Sequence, residues 1–280
     1  MVRHEPPSSG LRGSIWQWFS AHADTLPVRA LRRSADAASY YLHAENRDLA
    51  TNGEGFVLDC LASQARTILD VGANRGDWAL EAAGRCPQAA IYCFELVSST
   101  REKLLRRVRA EPRIRVEPTG LSSHPGPVRV KHYPGEPAWT SIYDYPHDGP
   151  SVWIDEVVTT GDAFLAEAKL TTVDLLKIDT EGSELAVLQG FRAALEQRAI
   201  RAIQFEYGYA AVVSHALLID FYELLEPLGY AIGRLGGSGV DFARYSFSSE
   251  NFFGPNFVAV RGEEDELLAR LAARSRRNGR

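Results

Sequence analysis

Cysteine and methionine are both scarce in this 280-residue chain: Cys60, Cys86 and Cys93, and a single Met. The cysteines lack CxxC spacing, which excludes a disulfide framework and a structural zinc site. Cys60 and Cys93 lie in apolar segments and read as small buried hydrophobes. Long apolar runs are missing too. No stretch approaches the roughly 20 apolar residues that span a bilayer, and the first residues carry no apolar signal-peptide core. The expectation is a soluble, cytoplasmic protein with no membrane partner. Positive charge is not in excess: the formal net charge is −5, which argues against a nucleic-acid partner. The basic run 270–280 reads as a solvated helix end that frays. Oligomeric state leaves no mark on the sequence.

Apolar material is plentiful, at 45% hydrophobic against 24% charged residues, enough for a core without metal or disulfide support. The expected organisation is an N-terminal disordered and helical extension over 1–50, a main domain over 51–262 and a basic helical tail over 263–280. Residues 1–13, punctuated by Pro6, Pro7, Gly10 and Gly13, read as disordered. Ile15, Trp16, Trp18 and Phe19 cluster on a short helix, for which docking on the core is the simplest role. Further helices are expected over 34–46 and 54–63.

From residue 67 short apolar runs alternate with amphipathic stretches. Strands are expected at 67–71, 90–94, 113–117, 173–178, 202–205, 230–235 and 257–260, with an extra hairpin strand near 128–133. Helices are expected from 76, at 99–110 and 183–197, and at 217–228 with Ser214 as N-cap. Such alternation predicts an α/β fold, a Rossmann-like and mostly parallel sheet with helices on both faces. Ligands of such sheets bind at the carboxyl ends of the strands. Those ends carry Asp70, Glu95, Asp179 and Glu206.

The turn Asp70-Val71-Gly72-Ala73-Asn74-Arg75-Gly76 follows the first strand. Its glycines would let backbone approach a ligand, and the helix that follows offers free N–H groups. The GxGxxG spacing of a dinucleotide site is absent. A smaller guest suits Gly72, Ala73, Asn74 and Gly76, such as the amino-acid end of S-adenosylmethionine. Glu95, closing the next strand beside Leu96, can accept both ribose hydroxyls. Gly120, Leu121 and Ser122 either meet the adenine edge or form an ordinary loop.

On these residues the chain resembles the FkbM family of methyltransferases. The matching pieces are Asn52-Gly53-Glu54, the 70–76 turn, Phe94-Glu95, Leu121-Ser122, the block Lys177-Ile178-Asp179-Thr180-Glu181-Gly182-Ser183-Glu184, Leu188-Gln189-Gly190 and Gln204-Phe205-Glu206. Leu96 replaces the Pro common after the strand-end Glu, and Thr160-Gly161-Asp162 replaces a usual Thr-Leu-Asp. The resemblance spans about residues 50–262. It implies a seven-stranded class I methyltransferase fold, an S-adenosylmethionine donor, and O-methylation of sugars or secondary metabolites.

Methyl transfer from a sulfonium to a hydroxyl needs positioning and a proton acceptor or a metal. Asp179, Glu181, Glu206 and His215 are the candidate bases. Asp179 and Glu206 together are candidate ligands for Mg²⁺. Glu181 and Glu184 also suit a helix N-terminus, Lys177 suits a cross-sheet ion pair, and His215 suits a capping role. Trp139, Ser141, Tyr143, Tyr207 and Tyr209 fall in loops on the acceptor side, to stack on a small-molecule acceptor or to pack down; Ser141 also matches a family Ser. The long insertion 119–172 is expected to build the acceptor pocket. A nicotinamide-dependent oxidoreductase and a catalytically silent donor-binding subunit are the alternatives.

Overall fold

The computed structural model describes residues 10–43, 48–49, 51–144, 146–237, 239–252, 254 and 256–277. The chain forms two compact units, Met1–Ala44 and Glu45–Arg280. In the first, α1 (Leu11–Ala21) begins inside the segment expected to be disordered, while residues 1–9 lie outside the described ones. Helix α2 (Leu26–His43) starts eight residues before the expected position. Pro27 sits in its first turn, where no N–H is needed. The expected end near Asn46 lies outside the described residues.

The second unit opens with α3 (Glu54–Leu61), then β1 (Thr67–Val71), α4 (Asp77–Arg85), β2 (Ala90–Phe94), α5 (Ser98–Val108) and β3 (Ile114–Glu117). The insertion follows as β4 (Gly120–Leu121), β5 (Gly126–His132), β6 (Val152–Thr159) and α6 (Gly161–Ala168). Next come β7 (Val173–Ile178), α7 (Glu184–Gln189), α8 (Arg192–Glu196), β8 (Ile200–Glu206), α9 (Ala210–Ser214) and α10 (Leu218–Leu225). The chain ends with β9 (Tyr230–Gly236), β10 (Gly239–Asp241), β11 (Asn256–Arg261) and α11 (Asp265–Arg277).

The large sheet has eight strands in the order β10-β9-β11-β8-β7-β1-β2-β3. Strands β3, β2, β1, β7 and β8 pair in parallel, and β11 lies antiparallel between β8 and β9. The expected count of seven is corrected by β10, which folds back on β9 as a short edge hairpin. A second sheet, β4-β6-β5, is made wholly by the insertion. Of its strands only β5 was foreseen, because β6 (VWIDEVVT) has its two acids side by side between apolar residues, without the period of two that marks a strand.

Three further expectations are corrected. The helix over 183–197 is two helices, broken at Gly190, where a Cβ would lie 2.2 Å from the Ser122 carbonyl oxygen. The N-cap of α10 is Leu217, whose N–H donates to Asp220 Oδ2 at 2.7 Å, and not Ser214. The C-terminal helix does not simply fray: Leu267 and Leu271 of α11 are fully buried and belong to the core.

Two apolar layers flank the sheet. Helices α6, α7, α8 and α10 cover one face with Phe164, Leu188, Phe191, Leu195 and Phe221 against Leu69, Ile178, Phe205 and Phe257. Helices α3, α4, α5 and α11 cover the other with Leu58, Trp78, Ala82, Leu104 and Leu267 against Ile68, Leu175 and Val258. Each large side chain so buried contributes about 1.5–3 kcal/mol. All three cysteines are buried and free, and burial pushes the Cys86 thiol up to about 11. Among the described residues no helix is long and apolar enough to cross a membrane.

Candidate active site

Strand order reverses direction at β1, whose neighbours are β2 on one side and β7 on the other. The carboxyl ends of β1, β2 and β7 therefore splay around a crevice, the usual ligand site of such sheets. The turn after β1 closes there. Gly72 and Ala73 donate their N–H groups to the Phe94 carbonyl at 2.9 and 3.0 Å, and Asp179 N–H donates to the Val71 carbonyl at 2.9 Å. Gly72 has φ +84° and Gly76 φ +85°. A Cβ on Gly72 would lie 1.7 Å from the Asp179 carbonyl oxygen, and one on Gly76 would lie 2.5 Å from Leu104 Cδ1. Both glycines thus answer first to the protein's own packing. Asn74, left-handed at φ +47°, donates its N–H to Glu95 Oε2 at 2.9 Å.

Glu95 holds two loops at once, because its Oε1 accepts the Val97 N–H at 2.9 Å. Burial pushes its carboxyl up to about 7, against the pull of those two N–H groups. A carboxylate has about four acceptor directions, so two remain for hydroxyl donors. Leu96 packs under Gly120, where a Cβ would meet its side chain at 2.9 Å. Gly120 and Leu121 are strand β4 and buried, with Leu121 in the core, and the half-buried Ser122 donates its N–H to Thr159 O at 2.9 Å. The loop expected there is therefore a short strand.

Asp70 is not on the crevice surface. It is fully buried, with Lys177 Nζ 3.2 Å from its Oδ1. The two residues are register neighbours on β1 and β7, and Gln204 is the register neighbour of Lys177 on β8. Lys177 Nζ also lies 3.2 Å from Asp179 Oδ2 and 5.6 Å from the centre of the Trp78 ring. Burial alone would lower the lysine pKa, yet Asp179, Asp70 and Glu54 hold it above its ordinary value. The cross-sheet pair expected for Lys177 is present, and it engages two acids. Glu54 and Gln204 are site residues that reasoning from the residues passed over. Their signals were an acid directly after Asn52-Gly53 and a Gln inside the apolar strand Ile200–Glu206.

Asp179, Glu181 and Glu206 come together, with carboxylate oxygens within 4.8 Å of one another and all three residues half-buried. Hard oxygen ligands at that spacing suit a divalent cation such as Mg²⁺, so the residues fit the group. Glu181 has a left-handed backbone, φ +52°, and its carbonyl accepts the Ser141 hydroxyl at 2.7 Å. Glu184 is the first residue of α7 but ties down the preceding loop instead of capping the helix, whose N-cap is Ser183. Its carboxylate accepts from Thr180 N–H at 2.7 Å and Gly182 N–H at 3.0 Å, and burial raises its pKa.

The acceptor-side candidates divide. Ser141 is buried and structural, tying β5 to Glu181 through its hydroxyl and accepting the Tyr143 N–H at 3.1 Å. Tyr143 is half-buried beside Gly182. Trp139 is half-buried and stacks on His147 at 4.5 Å. Tyr207 is corrected: it is 2% exposed, packs on Phe221 and Phe257 in the core, and donates its hydroxyl to Glu250. Tyr209 is exposed ahead of α9. His215 is exposed and is the C-cap residue of α9, in a left-handed conformation.

Residues 70–231 match the Methyltransferase FkbM domain. The chain belongs to this family. The chain is 27% identical over 158 residues to the AMB antimetabolite synthetase AmbE of Pseudomonas aeruginosa, a match covering 44% of this chain and 7% of that protein. The chain thus spans a small part of that relative's length. Among solved structures it is similar to a methyltransferase FkbM of Methylobacillus flagellatus, at 18% identity and TM-score 0.45, over 70% of this chain and 43% of that one. A TehB-like SAM-dependent methyltransferase of Corynebacterium glutamicum gives 14% identity and TM-score 0.41, over 84% and 97%.

Proposed function

We propose that this FkbM methyltransferase moves a methyl group from S-adenosylmethionine to a hydroxyl oxygen of a small molecule, a sugar or a secondary metabolite. The observation that carries the reading is the meeting of Asp179, Glu181 and Glu206 at the carboxyl edge of the sheet, one strand from the turn that follows β1. A neutral amine attacks a sulfonium carbon unaided, whereas a hydroxyl needs its proton removed. The turn at 72–76 and the two open acceptor directions of Glu95 suit the donor's amino-acid and ribose ends. As the carbon–sulfur bond breaks, a carbon–oxygen bond forms to the acceptor; the sulfonium becomes a neutral thioether and the hydroxyl proton passes to a carboxylate. The protein's share is alignment and proton removal. Mg²⁺ held by Asp179, Glu181 and Glu206 would supply Lewis-acid polarisation of the acceptor oxygen. The match to a segment of an antimetabolite synthetase supports a secondary metabolite among the acceptor classes.

The test is transfer of labelled methyl to a panel of hydroxylated acceptors, beside calorimetry with S-adenosylhomocysteine and NADH. Glu206→Gln should lower the turnover rate by about 10²-fold or more while leaving S-adenosylhomocysteine affinity intact. Methylation of amines alone, unaffected by that substitution, would refute the hydroxyl assignment. Binding of NADH in place of S-adenosylhomocysteine would refute the donor.

A further inference from the structure

Ahead of the matched segment 70–231, α3 brings another acid to the site. Glu54 Oε1 accepts from Asn52 Nδ2 at 2.7 Å and Oε2 from Gln204 Nε2 at 2.8 Å. Both partners are N–H donors, so these surroundings are built for the ionised carboxylate. Lys177 Nζ lies 3.2 Å from both Asp70 Oδ1 and Asp179 Oδ2, and Glu54 adds to the negative field that acts on it. Three acids thus act on this one lysine, so the acids of the cluster outnumber it. Two fully buried acceptor groups add to the negative field beside the crevice. Gln204 Oε1 receives no hydrogen bond among the described residues, and the Asp70 carboxylate receives nothing beyond the Lys177 contact.

We propose that this buried acidic surplus, completed by Glu54, makes the site hold the positively charged sulfonium donor more tightly than its neutral thioether product. The inference rests on the sulfonium-donor reading above. Methyl transfer removes one positive charge from the bound molecule, so the field that attracts the donor slackens once the reaction is over. Asp179, with 41% of its side chain exposed, can touch the ligand. Glu54 and Asp70 are nearly or wholly buried and act on it through space, where little water screens them.

The experiment compares two ligands of one shape by calorimetry on the full chain: S-adenosylhomocysteine, a thioether, and sinefungin, which carries an ammonium where the donor carries its methylsulfonium. Glu54→Gln is well suited to the fold, because Gln204 can turn its amide over and offer its open Oε1 to the new N–H. The wild type should favour sinefungin, and Glu54→Gln should shrink that preference roughly tenfold, the effect of one charge about 10 Å away at an effective dielectric of about 20. Asp179→Asn should shrink it in the same sense, and Glu223→Gln, the same charge change on an exposed helix residue, should not alter it. If both ligands bind and the preference is unchanged in Glu54→Gln and Asp179→Asn, this inference fails while the donor reading stands. If the wild type binds neither, the donor reading fails and takes the inference with it.

Discussion

Gln204 and Phe205 are adjacent on β8, yet they face opposite worlds. Phe205 enters an aromatic layer, stacked at 4.5 Å on Phe221 and at 5.7 Å on Phe257, with Tyr207 closing the group. Gln204, together with Lys177 and Asp70, interrupts the apolar layer on the other face, where Glu54 of α3 comes down on the row. The aromatic face gains apolar burial and carries no charge to desolvate. The polar face gives up packing at the carboxyl end of three neighbouring strands, and it does so beside the crevice. Burying ions there costs stability that a hydrophobic row would have kept, which is the pattern expected where a site is built at the expense of the fold.

Breaking the polar face should have the larger effect, because it costs function as well as stability. Lys177→Met leaves Asp70, Asp179 and Glu54 without their cation, and an unfolding series in urea at neutral pH should show a loss of about 3–5 kcal/mol. Burial already holds the Asp70 and Glu54 carboxyls above their ordinary values. Without the lysine they rise further, so the folded variant binds more protons than its unfolded chain. Its deficit should therefore narrow as the pH falls from about 7 towards 5. Methyl transfer should be lost at any pH. If stability holds and transfer persists, the row is ordinary packing.

On the aromatic face, Phe221→Ala removes a side chain that is 1% exposed and should also cost about 3–5 kcal/mol. The contrast lies in function: folded Phe221→Ala protein should bind S-adenosylhomocysteine as the wild type does. A matching fall in affinity would erase the division of labour between the faces.

The smallest effect sharpens the comparison at Glu95. Its carboxyl stands at about 7 against an ordinary 4.5, so the folded chain binds the extra proton between those values. Stability of the free protein should fall through that window as pH rises, by on the order of 3 kcal/mol from this group. Hydroxyl donors of a ligand prefer the ionised form, so affinity for S-adenosylhomocysteine should drop by about tenfold per pH unit below 7. Calorimetry across that range checks it, and a flat profile would remove Glu95 from the ligand contacts.

Much of the scaffold was legible. The parallel strands β1 and β2 announce themselves as nearly continuous apolar runs, because a strand covered on both faces needs little polar alternation. Acids closing β1, β2, β7 and β8 marked the right edge of the sheet. Other features were not readable. Strand β6 lacks a period of two, and the break at Gly190 depends on a carbonyl that arrives from Ser122, far away in the chain. Tyr207 looked like a loop aromatic because its partner, Glu250, lies 43 residues on.

The order of apolar and polar residues determined by itself where most strands of the large sheet fall and which strand ends carry acids, since period and propensity act within a few residues. Tertiary structure alone decided what those acids do. Asp70 and Asp179 share one lysine because β1 and β7 are neighbours, and Glu54 joins them because α3 crosses the same face. Charges act through space, and the distance between them is set only when the sheet closes.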